Sequence, residues 1–273
     1  MMSHSESLYS LKNINFFSEI HFSKMTADHL AAEKERLCAL QLEMRDQINH
    51  SVSMDHPARY VGGADLTVED DLYVGCFVVV DCENDLKPIY EKCTEMKVDI
   101  PYISGLLCFR EGPVIFRLLE EFQKDLPDIK LDALLVDGSG EWHQRRFGLA
   151  CYVGLKTGIP TIGVSKTFLY VGSEHSGKGV QNDAQSACPE VGDIMKISHT
   201  FDDGYEIACG VMRTTKSSPF KPIFVSTGHM IDFDSAVNIV RGLCHFREPE
   251  PLRLADRVSR EYVRNKKNPP KKK

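Results

Sequence analysis

Apolar residues change their spacing along this chain near residue 60. Before it, Leu30, Leu37, Leu40 and Met44 recur at helical intervals among Glu, Lys and Arg, predicting a helix over 26–48. After it, residues 60–68, 72–81 and 87–96 read as strands joined by the polar turns Asp70-Asp71 and Glu83-Asn84-Asp85. Such short turns predict an antiparallel meander. Gly112-Pro113 is expected to open a helix, since proline suits a first turn, with Val114, Ile115, Leu118, Leu119 and Phe122 as its inner face. Residues 131–136 and 160–164 are apolar runs of the kind that buried parallel strands show, with a helix over 146–157 between them. Residues 172–193, rich in Gly, Ser, Asn and Asp, read as a surface insertion. Short strands at 207–212 and 223–225 and a helix through Ala236, Val237, Val240 and Leu243 complete the pattern. Three strands followed by alternating β and α elements predict an α/β fold. Its mixed sheet would join the antiparallel three-strand meander to parallel strands, with helices on its faces.

Composition narrows this little. The chain has 273 residues, a formal net charge of −6 and 42% hydrophobic residues, ordinary values for a globular chain. Its longest apolar run, 72–80, is far short of the roughly 20 residues of a spanning helix, so no membrane partner is expected. Nine cysteines include no C-x-x-C pair and sit mostly in apolar stretches, which reads as reduced thiols in a reducing compartment. Charge is uneven. Residues 257–273 hold eight Lys and Arg against Glu261 alone, a tail that reads equally as a polyanion-binding or nuclear-address segment and as a solvated disordered tail. The expected organisation is an extension over 1–25, one domain over 26–256 and a disordered basic tail over 257–273.

Three carboxylates stand out by position. Asp65 interrupts the first strand, Glu111 lies where a strand or loop meets a helix, and Asp137 ends the fourth strand, where open α/β sheets place ligands. Hard oxygen donors from separate elements can converge on Mg²⁺ or Mn²⁺; each alone is also an ordinary turn former or ion-pair partner. Asp137-Gly138-Ser139-Gly140 leads through His143 into Arg145-Arg146 at a helix start, and helix starts attract phosphate. Gly163-Val164-Ser165-Lys166 ends another strand, where Lys166 could hold a phosphate or face solvent. His229, ending Ser226-Thr227-Gly228-His229, could bind metal, position water or serve structurally. Asp234 also suits a helix N-cap. The Gly172–Gly179 stretch resembles a phosphate-binding loop but lacks the final Ser or Thr and a periodic helix after it.

Taken together these segments resemble the endonuclease V family. The resemblance rests on Gly63-Ala64-Asp65, on the segment from Pro101-Tyr102-Ile103 to Phe109-Arg110-Glu111, and on 137–166. Ser226-Thr227-Gly228-His229 and the segment from Arg247-Glu248-Pro249 to Ala255-Asp256 complete it. It implies a ribonuclease-H-like fold and Mg²⁺-dependent hydrolysis, with Mn²⁺ as substitute, on the 3′ side of inosine, one nucleotide beyond it. It also implies metal binding by Asp65, Glu111 and Asp137, catalysis completed by His229 and Asp234, and Lys166 near the scissile phosphate. Tyr102 resembles the wedge that fills the gap left by the displaced base. Leu107, Gly138, Gly140, Gly163, Val164, Ser165 and Leu169, with His143 nearby, resemble the hypoxanthine pocket. Ser139, Glu141-Trp142 and Gln144 depart from the family pattern, which bears on substrate preference and rate.

The resemblance implies a monomer in the cytoplasm, nucleus or both, cutting inosine-containing single-stranded RNA to leave 3′-hydroxyl and 5′-phosphate ends. Deoxyinosine repair in DNA is the alternative, and an inosine-RNA binding protein without catalysis is another.

Overall fold

The computed structural model describes residues 27–69, 72–98, 103–173 and 175–267. Tyr102, the expected wedge, lies outside the described residues, as does the 1–25 extension.

The first described element is helix α1 (Ala27–Arg45), whose Leu37, Gln41 and Met44 are buried. The expected meander follows as β1 (Tyr60–Glu69), β2 (Leu72–Asp81) and β3 (Lys87–Lys97), paired antiparallel. After α2 (Leu107–Asp125), the strands β4 (Ala133–Asp137) and β5 (Thr161–Ser165) run parallel to β1, with α3 (Leu149–Thr157) between them. Helix α4 (Gly177–Ala187) leads to β6 (Ile194–Thr200), β7 (Glu206–Met212) and β8 (Ile223–His229). Helices α5 (Phe233–Gly242) and α6 (Glu250–Lys267) close the described chain. One eight-stranded mixed sheet results, in the order β3-β2-β1-β4-β5-β8-β7-β6.

Strand alternation sends Ala64, Phe77, Leu134 and Val136 into a core shared with α1, α2 and α3. Val61, Val78, Leu135 and Ile162 point the other way, into a core shared with α5 and α6. A smaller core under α4 joins Trp142, Phe168, Val180, Ala184 and Phe224. Among the described residues no helix is long and apolar enough to cross a membrane.

Four local expectations change. Helix α2 starts at Leu107, leaving Pro113 inside it and Glu111 within its second turn. The lost backbone bond costs about 3 kcal/mol. Burial of Cys108, Phe109, Val114 and Ile115 outweighs it at roughly 1.5–3 kcal/mol per large side chain. The supposed surface insertion contains α4, capped by Ser176 and held by buried Val180 and Ala184, so a helix does follow the glycine-rich stretch. The basic tail is helical as far as Lys267: α6 runs through the boundary drawn at Asp256, because Ser259 and Val263 extend the buried stripe of Leu252 and Ala255. Finally, Cys76 and Cys93, opposite each other across β2 and β3, form a disulfide, so these two are not reduced thiols.

Candidate active site

Parallel pairing of β1 with β4 sets Ala64 beside Val136, so the next residues, Asp65 and Asp137, stand side by side. Both point to the face covered by α6, where the Ser259 hydroxyl donates to Asp65 Oδ2 at 3.3 Å. Helix α6 reaches this spot because β1 carries Gly63 there. A Cβ on Gly63 would fall 2.5 Å from the Pro251 carbonyl carbon. Helix α2 supplies Glu111, and α6 supplies Asp256, a side chain only partly exposed and paired with Arg260 at 2.7 Å.

These carboxylates share too little positive charge. Burial first, then Asp137 and Asp256, push the Asp65 carboxyl up to about 7, against the pull of Lys166 and Ser259. Burial first, then Asp137 and Asp65, push Glu111 up to about 8, with Arg110 opposing. Lys166 Nζ lies 3.1 Å from Asp137 Oδ2 and 3.1 Å from Glu248 Oε2. Burial disfavours the Lys166 charge, but these two carboxylates outweigh it and hold its pKa above the ordinary lysine range.

The donor chemistry of Asp65, Glu111, Asp137 and Asp256 fits a hard divalent cation. The raised pKa values of Asp65 and Glu111 are what burial beside other carboxylates produces. The cluster is not closed into a cage. Among the described residues no three His, Cys, Asp or Glu side chains converge at ligating distance, and Lys166 is drawn onto Asp137.

Beside the carboxylates opens a cleft of about 240 Å³, lined in part by Leu107, Gly138, Ser139, His143, Ser165 and Leu169. It is smaller than the roughly 300–1,000 Å³ of drug-sized sites and suits one flat heterocycle. Asp137-Gly138 ends β4 and Ser165-Lys166 ends β5, so each strand gives one residue to the carboxylate cluster and its neighbour to the cleft. Burial first, then Arg145, lower His143 to about 4, leaving its ring neutral at pH 7 although a Gly105 backbone hydrogen bond opposes this.

Three residues expected in the pocket are not in its lining. Val164 faces the α5 and α6 core. A Cβ on Gly140 would lie 2.0 Å from the Thr227 carbonyl oxygen, and one on Gly163 would lie 2.4 Å from the Gly140 nitrogen. These glycines let the 138–148 loop lie against β5 and β8.

His229 and Asp234 are not brought to the carboxylates. Strand β8 runs antiparallel to β5, so His229 pairs with Thr161 at the far end of β5 from Lys166. Its Nδ1 accepts the Asn49 backbone N–H at 3.2 Å, while burial and His50 pull its pKa below the ordinary value. Asp234 is exposed in the first turn of α5, whose N-cap is Asp232, accepting the Ser235 N–H at 2.7 Å. Asp256 was missed because it lies beside the basic run, yet its spacing of three from buried Ser259 on an amphipathic stripe was a usable signal.

Two of the four departing residues have side-chain partners. Glu141 is buried and accepts the Tyr205 hydroxyl at 2.7 Å, with His50 Nε2 at 3.1 Å. Trp142 Nε1 donates to the Leu169 carbonyl at 2.9 Å. Ser139 lines the cleft and Gln144 is exposed.

Residues 42–257 match a family model described as endonuclease V. The chain belongs to the endonuclease V family. It is 36% identical to mouse endonuclease V over 208 residues, covering 75% of this chain and 60% of the mouse protein. It is 32% identical to human endonuclease V over 212 residues, covering 75% of this chain and 71% of the human one. The crystal structure of human endonuclease V superposes with a TM-score of 0.76 at 28% identity, over 85% of this chain and 99% of that one. Ciona intestinalis endonuclease V, solved with a 24mer DNA containing an inosine followed by a ribo-adenosine, gives 0.78 at 28% identity, over 86% and 99%. Endonuclease V proteins are metal-dependent nucleases that hydrolyse phosphodiester bonds.

Proposed function

We propose that this protein is a Mg²⁺-dependent endonuclease that cuts single-stranded RNA on the 3′ side of inosine, leaving 3′-hydroxyl and 5′-phosphate ends, and acts as a monomer. The observation that carries the reading is the shared ends of β4 and β5: a base-sized cleft and a carboxylate cluster meet at Asp137-Gly138 and Ser165-Lys166. A base held in that cleft would leave the adjoining backbone beside the carboxylates, since Asp137 and Lys166 of the cluster are chain neighbours of Gly138 and Ser165 in the cleft.

Asp65, Glu111, Asp137 and Asp256 would hold the cation, with Asp256 taking the place first expected of His229 and Asp234. A bound divalent ion supplies Lewis-acid neutralisation of the phosphate and of the leaving oxygen. Lys166 is a cation that can exchange Asp137 and Glu248 for a phosphate oxygen, serving as a point charge on the scissile group. Buried, neutral His143 and the Ser139 and Ser165 hydroxyls provide hydrogen-bonding groups that can read the edge of an extruded base. The DNA bound by Ciona endonuclease V carries a ribo-adenosine after the inosine, and a ribose at that position is what an RNA strand would present to this site.

The test is cleavage of matched single-stranded ribo- and deoxyribo-oligonucleotides carrying one inosine or adenosine, with Mg²⁺ or EDTA. Mg²⁺-dependent cutting of inosine strands alone, faster on RNA, is expected. Tight inosine binding without cutting would make the protein a reader, and equal cutting of adenosine strands would overturn the base-site reading.

A further inference from the structure

Gln41 has no exposed surface, yet it lies on α1, away from the strand ends that carry the carboxylates. A buried amide is costly unless its groups are hydrogen-bonded. Its Nε2 donates to the Gly105 carbonyl at 3.1 Å and to the Phe147 carbonyl at 2.9 Å. Its Oε1 accepts Arg145 Nε at 2.5 Å, and the same Arg145 donates from a terminal nitrogen to the Gly105 carbonyl at 2.6 Å. One side chain thus ties α1 to two separate loops, the Gly105 turn before α2 and the 143–147 loop after β4.

Both loops line the cleft, one through Gly105 and the other through His143, and Gln41 lines it beside them. His143 is itself hydrogen-bonded to the Gly105 backbone. The Gly105 carbonyl is therefore a common acceptor through which α1, the Gly105 turn and the 143–147 loop are held in register. Without the Gln41 amide, the Phe147 carbonyl loses a buried donor and Arg145 loses a buried acceptor.

We propose that Gln41, acting with Arg145, is a positioning residue that sets the width of the base cleft and so the preference for inosine, without touching the reacting groups. The inference rests on the reading of the cleft as the base site. A positioning role separates selectivity from chemistry. Widening the cleft weakens binding of the strand whose base must fit there, but leaves strands held by their backbone alone unaffected.

The experiment compares wild type, Gln41→Met and Arg145→Met by fluorescence anisotropy with inosine and adenosine RNA strands in EDTA. Steady-state cleavage in Mg²⁺ and thermal melting complete it. For folded variants the inosine-strand dissociation constant is expected to rise roughly tenfold, the equivalent of one buried hydrogen bond. Adenosine-strand affinity should stay within about twofold, and KM should rise with kcat within about threefold. An unchanged inosine preference in a folded Gln41→Met protein overturns the proposal. So does an equal loss on both strands, which marks a purely structural role. If Gln41→Met does not fold, Arg145→Met decides by the same criteria. A wild-type protein that binds both strands equally removes the base-site reading itself, and this is visible before any variant is made.

Discussion

Lys166 Nζ sits midway between two carboxylates, 3.1 Å from Asp137 on β4 and 3.1 Å from Glu248 just before α6. Its charge is thus shared by the end of the sheet and the segment that delivers Asp256. Replacing it by methionine keeps the stem and removes the only lysine at this cluster among the described residues. Cleavage should fall by about 10²–10³-fold, the usual cost of losing one group that stabilises developing charge. The Lys166→Met melting temperature should change by no more than a few degrees. Single-turnover rates at saturating protein, with calorimetry alongside, check both; a rate within about fivefold of wild type would remove Lys166 from the phosphate.

Asp256 and Asp234 make opposite predictions. Asp256→Asn should lower the single-turnover rate by about 100-fold or more, because it takes a charged donor from the cluster that raises Asp65. Asp234→Asn, exposed at the start of α5, should cut within about twofold of wild type. Reversed results would place the fourth acid at the other end of the sheet.

Proton linkage gives a prediction independent of activity. Asp65 and Glu111 have folded pKa values of about 7 and about 8, above the ordinary 3.8 and 4.5. A carboxyl whose pKa rises on folding binds more protons folded than unfolded between those values, so stability falls as pH rises through that window. In EDTA the protein should melt about 5–10 °C lower at pH 8 than at pH 5.5, corresponding to a few kcal/mol. Saturating Mg²⁺ should recover most of the loss. A metal-free melting temperature that is flat or rising over this range would contradict the buried, mutually repelling carboxylates.

The cleft glycines separate folding from recognition. Gly140→Ala would drive a methyl group into the Thr227 carbonyl and should cost about 3 kcal/mol or more in urea unfolding. At Gly138 a Cβ would meet only the Leu149 side chain, at 3.4 Å. Gly138→Ala should therefore fold normally, while a methyl group in the cleft weakens inosine-strand binding severalfold. Equal unfolding midpoints for the two variants would refute this assignment of roles.

Periodicity alone located most of the sheet. The three meander strands, β4, β5 and the core of α5 were all visible, because each alternates or clusters its apolar residues over enough positions to outweigh local exceptions. Pro113 misled because a first-turn preference was weighed without the burial of Cys108 and Phe109. Strand β6, at the sheet edge, buries only Ile197 and leaves its other positions half-buried or exposed, so it offered no strong pattern. The 257–267 stretch looked like a charge run because the lysines and arginines mask the stripe of Ser259 and Val263.

The sequence by itself marked the positions where a carboxylate or lysine breaks an apolar strand. Asp65, Asp137-Gly138 and Ser165-Lys166 stand where apolar runs meet polar or glycine residues, and that local contrast survives folding. Only the tertiary structure decided which ends share a site. Parallel pairing of β1, β4 and β5 puts Asp65, Asp137 and Lys166 at one edge, while the antiparallel return of β8 carries His229 to the other. Direction of pairing is a property of two strands, set by how the intervening chain crosses the sheet, so no one strand's pattern contains it. The packing of α6 against Gly63 then brings in Asp256 from a distant part of the chain.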